Sequence, residues 1–288
     1  MSKDSLVVRG LAAAVRVSQH LHVAVRLSQH AYDMGVALPT EEPRGRLTRA
    51  RVALPGGAAT TVYATSHPER STELRVAILR KPQKLAPWCA ARGVQEALVG
   101  GFFVRPGGMP LGELRTHGIQ RRSVAFARPW CDVRACVSVT GGQVRIAQRD
   151  ELPPEPRGDL LQAGPLLVRD GEPCFERALD PEGFSAGQAQ FDSDITDGRY
   201  PRAALGVAPG RLIAVACDGR SAREAGLTLE ELARVLVSLG CHTAINLDGG
   251  GSTSLVSGGR LRNKPFGDWE TPEPGGRPVS TALLFLPR

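Results

Sequence analysis

Short runs of alternating hydrophobic and polar residues fill the chain after residue 47, and turn residues separate these runs. Residues 49–54 and 60–64 flank a Pro-Gly-Gly turn, which is typical of a β-hairpin, and residues 74–79 predict a third strand. Residues 85–92 are predicted to form a short helix that ends at Gly93, where a left-handed C-cap favours glycine. This region is therefore predicted to be rich in β-structure.

A strand, a helix and a second strand are predicted to follow one another nearer the C-terminus. Residues 212–216 form an apolar run that ends at a Cys-Asp-Gly-Arg turn. Thr228 and Glu231 match a capping box, and the apolar residues after them recur at helical spacing until Gly240. Residues 243–245 predict the second strand, which leads into a run of three glycines.

The helix between these two strands determines their relative direction. A single helical crossover between two strands of one sheet makes the strands parallel. Asp218 and Asp248 each follow the end of one of the strands. We therefore expect both carboxylates at the same edge of the sheet, where open α/β sheets usually bind ligands.

The predicted fold class is α+β, with mixed sheets and helix-Gly-strand units that flank a surface cavity. The 33 glycines and 22 prolines indicate many turns and few long helices. Residues 1–45 are predicted to be an N-terminal extension and linker, and residues 46–288 a single domain. Residues 85–99 and 232–246 share four identities in fifteen positions. An internal pseudo-repeat and chance resemblance explain this similarity equally well.

Charge and composition narrow the classes of partner. The net charge is +7 and Arg outnumbers Lys, which suits recognition of a phosphate group or of a polyanion. Aromatic residues are only 5% of the chain, so the stacking surfaces of nucleic-acid binders are not predicted. The six cysteines contain no CxxC pair, and neither a zinc knuckle nor a redox motif is indicated. The sequence shows no signal peptide and no membrane span, which predicts a cytoplasmic protein.

The glycine run lies in the most distinctive segment of the chain, Asn-Leu-Asp-Gly-Gly-Gly-Ser-Thr at residues 246–253. Its glycines let backbone N–H groups approach an anion closely, and the hydroxyls after them add donors. Asp248 is a candidate to act as a base or to hold a sugar hydroxyl, and Arg202 and Arg220 are candidates for bidentate phosphate contacts. The chain has no GxGxxG, GxxxxGK or GxSxG pattern, so dinucleotide, P-loop and serine-hydrolase sites are not predicted.

Several short motifs follow one another in a set order along the chain. They are Gly-Gly-Phe-Phe from Gly100, Ala-Gly-Pro-Leu-Leu from Ala163, Tyr-Pro-Arg from Tyr200, Asp-Gly-Arg from Asp218, Gly-Leu-Thr from Gly226 with Glu231-Leu232, and the segment from Asn246 to Ser252. Together these motifs closely resemble the phosphodiester glycosidase family. The resemblance covers residues 47–285, and the Asn-Leu-Asp-Gly-Gly-Gly-Ser motif is its most specific part.

The resemblance implies a hydrolase that cleaves the C1–O bond of a sugar-1-phosphodiester in a glycan or glycoconjugate. Asp248 and Asp218 are then the expected catalytic carboxylates, with a divalent cation between these acids and the phosphate left open. The expected substrate-binding residues are Arg202, Arg220, Asn246, Gly249, Gly250, Gly251, Ser252, Thr253, Gly100 and Gly101.

Two positions depart from the family pattern. The pattern usually has Asn where this chain has Val99, and it often has His where this chain has Tyr200. These departures favour an alternative function, a non-catalytic protein that binds sugar phosphates or anionic polymers in a degenerate site. Family members are often exported, in contrast to the cytoplasmic location predicted above.

Overall fold

The computed structural model describes residues 45–185, 195–267 and 271–288. These residues contain three short helices, α1 (Leu85–Ala90), α2 (Trp130–Val133) and α3 (Leu229–Ser238). The strands are β1 (Arg46–Ala53), β2 (Ala59–Pro68), β3 (Thr72–Gln83), β4 (Ala97–Val99), β5 (Phe103–Val104), β6 (Met109–Pro110), β7 (Leu114–Thr116), β8 (Ile119–Gln120), β9 (Ala135–Thr140), β10 (Gln143–Gln148), β11 (Asp159–Gln162), β12 (Leu166–Arg169), β13 (Glu172–Pro173), β14 (Ala203–Ala208), β15 (Arg211–Cys217), β16 (Thr243–Asn246), β17 (Leu255–Ser257), β18 (Arg260–Leu261) and β19 (Val279–Pro287). The fold is therefore mostly β. The predicted extension of residues 1–45 lies outside the described residues, except for residue 45.

The largest sheet has seven strands in the order β1-β2-β15-β14-β16-β12-β13. Strands β15 and β16 are both antiparallel to β14, so they run parallel to each other with β14 between them. The expected common direction of the two strands is confirmed, and Asp218 and Asp248 follow their carboxyl ends. Strand β14 was not predicted, because its sequence Ala-Ala-Leu-Gly-Val-Ala carries small residues rather than a strand-like pattern.

Two five-stranded sheets, ordered β18-β17-β4-β19-β3 and β10-β9-β11-β7-β8, and a β5-β6 pair complete the β-structure of the described residues. The three large sheets share one core cluster. It contains Leu74 and Leu98 from one five-stranded sheet, Val137 and Leu161 from the other, and Leu205 from the seven-stranded sheet. One continuous core therefore joins all three sheets. Burial of each large apolar side chain in this core stabilises the fold by about 1.5–3 kcal/mol.

The central strands of the seven-stranded sheet, β15, β14, β16 and β12, are buried on both faces. Leu205 and Ile245 face the main core, whereas their neighbours Ala204 and Ala244 belong to a second cluster beneath α3. This alternation follows from the two-residue period of a strand. Five residues of α3 complete the second cluster: Val235 and the four residues of the predicted apolar stripe, Leu229, Leu232, Ala233 and Leu236.

Both ends of α3 agree with the sequence prediction. The Glu231 N–H donates to Thr228 Oγ1 at 3.1 Å, and the Thr228 N–H donates to Glu231 Oε2 at 3.0 Å, which completes the capping box. Gly240 ends the helix with φ +82°, a conformation that disfavours residues with a Cβ. Helix α1 is shorter than predicted and ends at Ala90, although Gly93 also has a positive φ of 68°.

The apolar sequence of residues 160–168 predicts one buried extended segment, but in the structure this segment divides between two sheets. Strand β11 belongs to a five-stranded sheet and β12 to the seven-stranded sheet. Gly164 makes the turn between them with φ +117°, and a Cβ at this position would lie 2.6 Å from Glu182 Oε2. The Asp-Gly pair at residues 170 and 171 is typical of a hairpin turn, and in the structure both residues have positive φ and join β12 to β13 as a hairpin.

The two predicted helix-Gly-strand units both exist, as α1-Gly93-β4 and α3-Gly240-β16. Their strands lie in different sheets, so the internal pseudo-repeat stays a prediction. No helix of the described residues is long and apolar enough to cross a membrane.

Candidate functional site

Strands from two sheets bring the predicted site segments together. The Asp248 N–H donates to the Gly100 carbonyl at 3.0 Å, so the glycine turn after β4 touches the glycine turn after β16. The Leu247 N–H donates to the Ala203 carbonyl at 2.9 Å, which fixes the same segment to the start of β14. Asp248 and Gly100 lie 148 positions apart in the chain, and no local sequence pattern indicates that they meet.

The segment Tyr200–Pro201 passes between two glycine-containing loops. On one side the Gly250 N–H donates to the Pro201 carbonyl at 2.9 Å, and a Cβ on Gly249 would lie 2.9 Å from the same oxygen. On the other side a Cβ on Gly226 would lie 2.6 Å from the Tyr200 carbonyl. A side chain at either glycine would collide with backbone, so these glycines are needed for close packing.

Backbone N–H groups of the glycine run already have partners within the protein. The Gly249 N–H donates to Asp248 Oδ1 at 2.9 Å. The Ser252 N–H donates to the Gly249 carbonyl at 3.1 Å, and the Thr253 N–H donates to the Gly250 carbonyl at 3.2 Å. With the Gly250 bond to Pro201, these contacts occupy four N–H groups of residues 249–253. These four N–H groups therefore bond within the protein, and the role of the glycine run in binding an anion stays a prediction.

Asp248 has one satisfied carboxylate oxygen and one buried oxygen without a partner. Oδ1 accepts the Gly249 N–H, whereas Oδ2 is buried and has no hydrogen-bond partner in the described part of the chain. Burial raises the pKa of Asp248 to about 6, against the opposing effects of Ser252, the Gly249 N–H and the charges of Arg277 and Arg105. A carboxylate with this pKa gains and loses its proton close to neutral pH, as a general acid or base requires.

Asp218 is held in place through both of its carboxylate oxygens. Oδ2 accepts a hydrogen bond from the Tyr63 hydroxyl at 3.1 Å, and Oδ1 accepts the Lys264 N–H at 2.6 Å. Burial raises the pKa of Asp218, and these two donors oppose the shift. Burial of Tyr63, together with the charge of Asp218, raises the pKa of the Tyr63 hydroxyl to about 12. These contacts join β2, the end of β15 and the loop that contains Lys264.

Asn246 and the hydroxyls after the glycine run carry further buried oxygens without partners. Asn246 Nδ2 donates to the Gly164 carbonyl at 2.9 Å, which leaves its Oδ1 without a hydrogen bond in the described chain. Thr253 Oγ1 and Ser254 Oγ are also buried and have no hydrogen-bond partner among the described residues. A buried polar atom without a partner costs about 1–3 kcal/mol, so these atoms are candidates to bond a ligand or water.

The two predicted phosphate-binding arginines lie near each other beside Tyr200. Arg202 is buried, with Nε donating to the Leu227 carbonyl at 3.1 Å and Nη2 to the Gly198 carbonyl at 3.4 Å. Arg220 has its Nη1 3.1 Å from the position that a Cβ on Gly250 would occupy, so its guanidinium lies against the glycine run. Burial lowers the pKa of Arg202 to about 10, which leaves it charged at neutral pH.

Arg277 is a site residue that the sequence analysis missed. Its N–H donates to the Gly251 carbonyl at 2.8 Å, and its Nη2 lies 3.1 Å from the position of a Cβ on Gly251. Arg277 also pairs with Glu273, at 3.6 Å between Nη2 and Oε1. Its sequence context, Gly-Gly-Arg-Pro, predicts only a turn. Two guanidinium groups, those of Arg220 and Arg277, therefore lie against the glycine run.

No group of three or more His, Cys, Asp or Glu side chains within the described ranges is arranged to hold a metal ion. A cavity of 760 Å³ is lined by other residues, including Arg115, Arg121, Arg149 and Gln162, and by none of the predicted site residues. The surface cavity expected at the glycine run stays a prediction.

Comparisons with known proteins agree with the sequence resemblance. Residues 92–286, more than half of the chain, match the family model described as phosphodiester glycosidase. The chain belongs to the phosphodiester glycosidase family. Its family and its structural neighbour are glycosidases, which supports a hydrolase at the level of the family.

Solved structures with the same fold include the catalytic domain of zebrafish N-acetylglucosamine-1-phosphodiester alpha-N-acetylglucosaminidase, auto-inhibited by its pro-peptide. It matches with a TM-score of 0.64 and 21% identity, over 87% of this chain and 86% of that chain. A putative exported protein of Burkholderia pseudomallei matches with a TM-score of 0.58 and 16% identity, over 94% and 81% of the two chains. At these identities the likeness shows the fold alone.

A curated relative is an uncharacterized SPbeta prophage-derived protein of Bacillus subtilis. It is 38% identical over 66 residues, which are 23% of this chain and 10% of the relative. The chain therefore spans only a tenth of the length of that relative, and the match adds no residue role.

Proposed function

We propose that this protein hydrolyses a sugar-1-phosphodiester at the C1–O bond, with Asp248 as its catalytic carboxylate. The observation that carries the proposal is the buried, unpartnered Oδ2 of Asp248 in a motif that two guanidinium groups contact. Family membership supports the reaction class.

The proposed reaction exchanges one bond to the anomeric carbon for another. The oxygen of a water molecule bonds to C1, the bond from C1 to the phosphate oxygen breaks, and the phosphate monoester leaves with the electron pair. Asp248 takes a proton from the water as C1 develops positive charge. A phosphate monoester leaves readily, so this site needs cations at the phosphate more than it needs a strong acid.

The charges around the glycine run fit this demand. Arg220 lies against Gly250 and Arg277 against Gly251, so both guanidinium groups can contact a phosphate held over the run. Asp248, with a pKa of about 6, is mostly ionised at neutral pH and available as a base.

We assign different roles to the two aspartates. Both oxygens of Asp218 are bonded to Tyr63 and Lys264, so we propose that Asp218 positions the adjoining loop rather than attacks the substrate. The free Oδ1 of Asn246 is proposed to accept a hydrogen bond from a sugar hydroxyl. The Gly100 carbonyl accepts the Asp248 N–H and so fixes the neighbouring glycine turn, which contains Gly100 and Gly101, to this segment.

A test compares turnover of a chromogenic sugar-1-phosphodiester by the wild type, Asp248→Asn and Asp170→Asn. Asp170 is an exposed turn residue with positive φ, a conformation that asparagine tolerates, so it is the matched control. Loss of the base is expected to reduce kcat by about 10²–10⁴-fold in Asp248→Asn and to leave the control unchanged. Equal activity in all three proteins would refute the role of Asp248.

Val99 favours a second candidate, a non-catalytic binder of sugar phosphates. The side chain is fully buried in the main core, and its N–H donates to the Ser254 carbonyl, so no amide reaches the site from this position. Binding of sugar phosphates without any turnover by the wild type would support this candidate and end the enzymatic proposal.

A further inference from the structure

Two guanidinium groups lie over one aromatic ring at the edge of the candidate site. The central carbon of Arg202 is 5.1 Å from the centroid of the Tyr200 ring, and that of Arg220 is 4.8 Å from it. Both distances lie within the range of attraction between a cation and the face of an aromatic ring. The Tyr200 ring therefore contacts both of the arginines that the sequence predicts to bind phosphate.

The two arginines repel each other. The positive charge of Arg220 is one of the causes that lower the pKa of Arg202, in addition to the larger effect of burial. A carboxylate between them would remove the repulsion, but it would also cancel the charge that attracts an anion. An aromatic ring attracts each cation through its quadrupole and leaves the net charge in place.

Hydrogen bonds fix the backbone of Tyr200 and therefore the position from which its ring extends. Its N–H donates to the Leu227 carbonyl at 3.1 Å, and its carbonyl accepts the Leu227 N–H at 3.0 Å. Gly226, with φ +84°, lets the chain pass against Tyr200, since a Cβ there would lie 2.6 Å from its carbonyl carbon. Gly250, which lies against Arg220, is bonded to the next residue, Pro201.

We propose that Tyr200 is a positioning residue, whose ring holds Arg202 and Arg220 together as a cationic pair that binds the phosphate group of the substrate. This inference rests on the proposed function for its substrate, and it assigns the anion-binding part of the site. The ring acts through the two arginines and does not take part in the proton transfer.

The test replaces the ring in steps and measures the dissociation constant of inorganic phosphate by calorimetry at low ionic strength. Tyr200→Phe keeps the face of the ring and should bind phosphate within about twofold of the wild type. A 3,4,5-trifluorophenylalanine at position 200 keeps the shape but cancels most of the quadrupole, and should weaken binding by about tenfold. Tyr200→Leu should weaken binding at least as much.

The pair of Phe and trifluorophenylalanine proteins is the decisive comparison, because they differ little in shape and the comparison stands even when Tyr200→Leu fails to fold. Equal phosphate affinity in this pair would overturn the inference, and so would a wild type that binds no phosphate at millimolar concentration. A loss in Tyr200→Phe as large as in the fluorinated protein would assign the effect to the hydroxyl and would also overturn it.

Turnover separates this inference from the proposed function. With a hydrolysed sugar-1-phosphodiester, the fluorinated protein should show a KM raised by about the same factor as the phosphate dissociation constant, with kcat within about threefold. Ring-dependent phosphate binding without hydrolysis by the wild type would refute the proposed function and leave the role of Tyr200 intact. Hydrolysis with ring-independent phosphate binding would refute the role of Tyr200 and leave the proposed function intact.

Discussion

Replacing Asp248 by Asn is expected to stabilise the protein at neutral pH while it removes activity. Burial raises the pKa of Asp248 from 3.8 to about 6, so the folded state binds its proton more tightly than the unfolded state does. The stability linked to this group is complete below pH 3.8 and is lost as the pH rises through 6. One pKa unit corresponds to about 1.4 kcal/mol, which makes the full loss about 3 kcal/mol.

The amide that replaces the carboxylate in Asp248→Asn does not ionise, so the variant avoids this loss. The amide oxygen can still accept the Gly249 N–H, whereas the amide nitrogen takes the place of the unpartnered Oδ2. The new N–H donors lack a partner in the described residues, which reduces the expected gain to about 1–2 kcal/mol at pH 7. Active-site groups commonly cost stability in this way.

Urea unfolding of the wild type, Asp248→Asn and Asp170→Asn between pH 4 and 8 checks this expectation. The difference between Asp248→Asn and the wild type should be smallest, or negative, at pH 4 and should grow up to pH 7. The Asp170→Asn control should follow the wild type. A constant difference at all pH values would refute the reasoning, because it would show that Asp248 has the same pKa in the folded and unfolded states.

Three further outcomes are expected. The ratio kcat/KM should rise as the pH passes about 6 and level off above pH 7, since Asp248 acts as a base when ionised; a pH–rate profile measures this. Gly249→Ala should lower the free energy of unfolding by about 1–3 kcal/mol, because its Cβ would lie 2.9 Å from the Pro201 carbonyl. Urea unfolding measures this loss. The control Gly210→Ala, at an open turn with φ +68°, has backbone strain but no such clash. Thr228→Ala should cost about 1 kcal/mol through loss of the capping bond to Glu231, with no change in KM.

Local patterns predicted the parts of the fold whose causes are local. The capping box of α3, its apolar stripe and the glycine that ends it lie between Thr228 and Gly240, and all three agree with the structure. The direction of β15 and β16 followed from the helix between them. Strand β14 escaped prediction because its small side chains suit the crowded centre of a sheet but carry no pattern of their own.

The sequence predicted which residues belong to the candidate site better than it predicted the contacts between them. The glycine run suggested an anion cradle, yet Pro201 and the run itself occupy most of its N–H groups. Tyr63 meets Asp218 across 155 positions of sequence, and such a contact depends on how β2 pairs with β15. Arg277 reaches Gly251 from a turn with no motif. These contacts arise from sheet topology, which the local sequence does not encode.

The central claim is that water attacks C1 and the phosphate leaves intact. Hydrolysis of a sugar-1-phosphodiester in ¹⁸O-labelled water, followed by mass spectrometry of both products, tests it directly. Cleavage of the C1–O bond predicts ¹⁸O in the released sugar and none in the phosphate monoester, with the labelled product lost in Asp248→Asn. Label in the phosphate monoester would show attack at phosphorus and would contradict the proposed reaction.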